Sequence, residues 1–98
     1  MGTTITNAPF LIDNRLADAA RGDTAALYDL GICYQTGTAG VAIDLIEAHK
    51  WFNLAAVRGF VEAQDARSEV AVDMSPREIA CAQAAARAWL GQAQRRAA

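Results

Sequence analysis

The side chains able to do covalent or acid–base chemistry are few and scattered. His49 is the single histidine, and it stands between Ala48 and Lys50 in a helical stretch, where a solvent-facing or hydrogen-bonded structural role is expected ahead of general-base work. Cys33 and Cys81 have no base adjacent in sequence, no serine or cysteine sits in a nucleophile motif, and no glycine-rich phosphate loop follows a strand. Both cysteines read as small core hydrophobes, since a short alanine-rich chain without an export signal gives little reason for a disulfide. One histidine without a CxxC pair supplies no ligand set for a metal. The expectation is therefore a protein that is not an enzyme, with no catalytic residue, no cofactor and no metal. What remains is electrostatic. Glu62, Asp65, Glu69 and Asp73 recur at spacings of three, four and four, which lines four carboxylates along one stripe of a helix. Like charges so placed repel unless water or a cation screens them, so the stripe costs a little stability and invites a basic partner. The plainer alternative is an ordinary solvated helix face.

The elements that must carry this stripe follow from length and composition. Ninety-eight residues with a formal net charge of −2 make one small domain. With 53% hydrophobic and 20% charged residues, the chain is too apolar to stay disordered. Alanine supplies 23 of the 98 residues and aromatics only 7%, so close backbone approach must stand in for bulky side chains. Nine Lys and Arg spread along a slightly acidic chain argue against nucleic acid, whose binding draws on clustered cations. The longest uncharged run, Leu30 to Ile43, is broken by Gln35, Thr36, Gly37, Thr38 and Gly40 and is too short for a membrane span. No basic, apolar secretory signal opens the sequence, and the expected setting is cytoplasmic. Gly2 to Thr6 matches a short N-acylation pattern, but no polybasic second signal follows and the stretch reads as an extended leader.

Spacing and caps predict five helices and no strand. Asn7, Pro9 and an apolar face through Phe10, Ile12, Leu16, Ala17, Ala19 and Ala20 give the first, ended by Gly22. Asp23 or Thr24 caps the second, which carries Ala26, Leu27, Leu30, Cys33 and Tyr34 and stops at Gly37. After a turn over 36–43, Asp44 caps a third helix with Leu45, Ala48, Trp51, Phe52, Ala55 and Ala56, closed by Gly59. A fourth runs over 61–72 with Ala63, Ala66, Val70 and Ala71 opposite the carboxylate stripe. Ser75, Pro76 and Glu78 form a capping box that starts a fifth, extending to about Leu90, with the tail 92–98 expected to fray.

The helices recur with a period. Ala19-x-Arg21-Gly22 and Ala56-x-Arg58-Gly59 lie 37 residues apart, and Ala26 and Ala63 each follow their glycine by four. Ala26, Leu30, Gly31, Tyr34 and Gly37, then Gly40 and Val41, then Ala48, Trp51, Phe52, Ala55, Ala56 and Gly59 resemble one full Sel-one-like repeat, a member of the tetratricopeptide-like superfamily. The resemblance implies an all-α fold, a short right-handed α-solenoid of antiparallel helix pairs. It implies a leader over 1–7 and a repeat domain over 8–91, made of a half repeat (8–22), a full repeat (23–59) and a degenerate capping repeat (60–91) in which Arg67, Ser68 and Ala71 replace Leu, Gly and Tyr. Gly31 in mid-helix costs about 1 kcal/mol against alanine, so its use implies a neighbouring helix pressed close. Trp51, Phe52 and Tyr34 then fill the core.

By the same resemblance, the concave face is lined by Ala25, Tyr28, Ile32, Gln35 and Thr36 in the full unit and by Glu62, Asp65, Glu69, Val72 and Asp73 in the closing one. The implied partner-binding set is Tyr28, Ile32, Gln35, Glu62, Asp65, Glu69 and Asp73. The function expected is a non-catalytic adaptor holding an unidentified protein or peptide, preferably basic, on that face, with neither nucleic acid nor membrane as partner. The alternative is a structural unit that associates with copies of itself, because a solenoid this short leaves exposed ends.

Overall fold

A computed structural model describes residues 3–97, with side chains described for 12–95. Among the described residues there are five helices and no strand: α1 (Thr3–Ala20), α2 (Thr24–Thr36), α3 (Leu45–Val57), α4 (Val61–Ala71) and α5 (Pro76–Ala97). The expected all-helical fold is the one observed. Met1 and Gly2, the start of the acylation-like pattern, lie outside the described residues.

The caps are made by the residues the sequence offers for them. Asp23 accepts from Ala26 N at 3.2 Å and Asp44 from Glu47 N at 3.1 Å, each satisfying an orphan amide at a helix start. Gly37 adopts φ 71° and closes α2 by donating to the Cys33 carbonyl at 2.8 Å. Ser75 and Glu78 bond reciprocally, Ser75 N to Glu78 Oε1 at 2.8 Å and Glu78 N to Ser75 Oγ at 3.1 Å. Replacing Ser75 by alanine is expected to cost about 1 kcal/mol in denaturant unfolding, and a cost within error would show that the box adds nothing.

Both outer helices run beyond their sequence signals. α1 takes in residues 3–7, read as leader, and continues through Pro9, which has no N–H to give the Ile5 carbonyl. α5 takes in 92–97, read as frayed tail, because one glycine at Gly91 costs about 1 kcal/mol and cannot end a helix rich in Ala, Gln and Arg.

α3 is the hub. It packs on α2, α4 and α5, while α1 packs on α2. From Ala48 to Ala56 only Lys50 and Asn53 escape full burial. One core cluster joins Leu27, Leu30, Trp51, Leu54, Ala55 and Ala86, and Trp51 meets Trp89 of α5 edge-on at 5.8 Å. A second joins Ala48, Phe52, Ala66, Val70, Met74 and Ala82. The ring of Phe52 lies directly on the backbone of Gly31: a Cβ built there would fall 2.9 Å from Phe52 Cγ and closer still to Cδ1 and Cε1. The mid-helix glycine is thus a close-contact residue, as its position implies.

Two assignments need correction. Cys81, expected in the core, is exposed, because the buried line of α5 passes through Ala82 and Ala86 and leaves its neighbour outside. His49, expected at solvent or hydrogen-bonded, is only 4% exposed, and its Nδ1 has no hydrogen-bond partner among the described residues. The tightly surrounded α3 has little solvent side on which to place it.

The two glycine turns 37 residues apart share one hydrogen-bond pattern. Arg21 N, Gly22 N and Asp23 N donate to Asp18, Ala19 and Asp18 carbonyls, and Arg58 N, Gly59 N and Phe60 N donate to Ala55, Ala56 and Ala55. Gly22 and Gly59 have φ 92° and 90°, values that favour glycine. Arg58 Nη1 reaches back to the Gly22 carbonyl at 3.1 Å, tying one turn to the other.

Candidate functional site

α4 is held by one side. Ala63, Ala66 and Val70 are buried, and Phe60, just ahead of the helix, stacks at 4.9 Å on Tyr28 of α2 instead of capping by its side chain. The opposite side is open. Glu62, Asp65 and Glu69 on α4, and Asp73 in the turn just past its end, are all exposed, and no hydrogen bond or ion pair engages their side chains among the described residues. Nor do they converge: no group of three or more acidic, histidine or cysteine side chains among the described residues is arranged to hold a metal. On the same solvent side stand Val61 and Val72, 64% and 82% exposed. They lie four residues before and seven after Asp65, spacings that keep all three on one helical face. The open face of α4 is therefore acidic with an apolar residue near each end.

Tyr28, Ile32 and Gln35 stand apart from this face in character. Each is half-buried on α2. Tyr28 is wedged between Phe60 and Phe52, the latter at 5.6 Å, and Ile32 packs against the cluster of Phe52, Val70 and Met74. These side chains wall the core, and no hydrogen bond joins Gln35 to the carboxylates among the described residues.

Sequence reasoning missed a polar group between α3 and α4. Arg67 Nη1 donates to Asn53 Oδ1 at 2.6 Å, and burial, with the Arg67 charge, holds His49 below the ordinary imidazole pKa. The spacing Leu45, His49, Phe52, Ala56 was the available signal that His49 lies on a buried line. Its lowered pKa has a stability consequence. The unfolded chain takes up a proton near pH 6.5 while the folded chain keeps His49 neutral, so this contribution is full above about pH 6.5 and is lost as pH falls from there through the folded pKa. The melting temperature should drop between pH 7.5 and 5.5, and His49→Leu should shrink that drop; an equal drop in the variant would place the acid sensitivity elsewhere.

At the start of α3, Glu47 accepts from Lys50 at 3.0 Å and from Trp51 Nε1 at 3.2 Å, while Lys50 stands 4.3 Å from the Trp51 ring centre. Burial, then the carboxylates of Glu47 and Asp44, raise the Tyr34 pKa. Within this cluster Glu47, Lys50 and Trp51 engage one another. A cleft of about 80 Å³ lined by Ala20, Trp89, Gln92 and Ala93 is too small for more than a few atoms. No helix among the described residues is long and apolar enough to cross a membrane.

No protein-family model, curated protein or solved structure matches the chain.

Proposed function

We propose that this chain is a non-catalytic protein–protein interaction adaptor, built as a short right-handed Sel-one-like solenoid of antiparallel helix pairs, whose concave side holds a basic peptide or protein surface. The observation that carries the reading is the open face of α4, where the exposed carboxylates of Glu62, Asp65 and Glu69, with Asp73 just past the helix end, have no partner among the described residues while the reverse side is anchored on α3. Such a face attracts a cationic partner at long range, and Val61 and Val72 offer it apolar contact at short range. The matching turns at Gly22 and Gly59, tied by Arg58, support the repeat. The same reading sets the protein in the cytoplasm, in keeping with two free cysteines.

A synthetic amphipathic Lys/Leu peptide tests it by calorimetry. Glu69→Gln with Asp73→Asn should weaken binding about tenfold, and binding should weaken further as salt shortens the screening length below about 8 Å. Asp13→Lys changes net charge by the same amount from α1 and should leave affinity unchanged. Equal losses would reveal only a net-charge effect, and no loss from the α4 pair would remove the site.

A further inference from the structure

The surface of α5 is the counterpart of that of α4. Its buried line runs through Ala82 and Ala86, and its far side exposes Ala80, Ala84 and Ala88 with Arg77 and Arg87 beside them. On a helix these positions share one outward face. Small side chains let a second helix approach closely, and the arginines flank the contact. α4 presents the complement: carboxylates, with Val61 and Val72 to fill the space the alanines leave. Within the chain the buried sides of α4 and α5 share one core cluster, Ala66 and Val70 with Ala82, and the outward surfaces stay exposed.

We propose that the basic surface taken by the acidic face of α4 is α5 of a second copy of this chain, in a two-fold dimer where each α4 lies on the other copy's α5. This rests on the reading of α4 as an interaction face and names its partner. Two-fold symmetry makes both contacts at once and leaves neither face open, whereas a single head-to-tail contact would propagate. The charge pattern also orients the pair: carboxylates meet arginines in the α4–α5 contact, while α4 against α4 sets like charges together.

Sedimentation velocity on the full chain tests the proposal through a charge swap. The unmodified protein should show a species of twice 10.4 kDa whose dissociation constant rises with salt. Glu69→Lys/Asp73→Lys alone, and Arg77→Glu/Arg87→Glu alone, should each weaken self-association about tenfold or more. Mixing the two variants should restore the dimer, because every α4–α5 contact again joins opposite charges. All four positions are exposed, and circular dichroism on each variant verifies the helices. A monomer at every concentration that still binds the Lys/Leu peptide through α4 would overturn the dimer while leaving the adaptor reading standing. A dimer indifferent to both reversals, or a mixture that fails to associate, would overturn the α4–α5 contact.

Discussion

Gly31→Leu is expected to lower the stability of the fold by about 3 kcal/mol or more, read as a shift of the urea midpoint followed by circular dichroism at 222 nm. The cause is contact rather than backbone strain. Even a single added carbon at Gly31 overlaps the ring of Phe52, which is fully buried in the cluster with Ala48, Ala66 and Val70. Gly31→Ala is the sharper comparison, because alanine improves helix propensity by about 1 kcal/mol and should still destabilise. Adding Phe52→Leu to Gly31→Ala should recover part of the loss, as contacting residues couple in a double-mutant cycle. An unchanged midpoint in Gly31→Leu would mean that α2 and α3 do not approach here.

Phe52→Ala is expected to cost about 3–5 kcal/mol. The ring touches both neighbouring layers: it fills the space at Gly31, meets Tyr28 at 5.6 Å and completes the cluster with Val70 and Met74. Against a typical total of about 5–15 kcal/mol, that loss should bring the melting temperature down by on the order of 20 °C. Val72→Ala, at an 82% exposed position, should change stability by less than about 0.5 kcal/mol. Similar losses at both positions would contradict the placement of Phe52 as the contact between α2 and α3.

The parts of the fold legible in the sequence are those written in local chemistry. Asp23, Asp44 and the Ser75–Glu78 box cap helices where their spacing places them, and Gly31 betrays a close contact because nothing else justifies glycine in mid-helix. The outer ends of α1 and α5 were less legible, since Pro9 and Gly91 are boundary signals that a helix can override. His49 was misplaced because polarity speaks for solvent, while the three helices packed round α3 decide its burial. The stripe itself was readable from spacing, and its exposure follows from Ala63, Ala66 and Val70 taking the opposite side. Which surfaces of α4 and α5 face outward depends on both packing on α3, a tertiary fact that neither helix records alone.

Hydrogen exchange of the unmodified chain, diluted until it is monomeric, with and without the Lys/Leu peptide, addresses the α4 face most directly. Bound peptide should slow exchange over 61–73 and leave α1 unchanged, with the effect lost in Glu69→Lys/Asp73→Lys. Protection that spares 61–73 and appears elsewhere, or persists undiminished in the reversed variant, would contradict the assignment of α4 as the interaction surface.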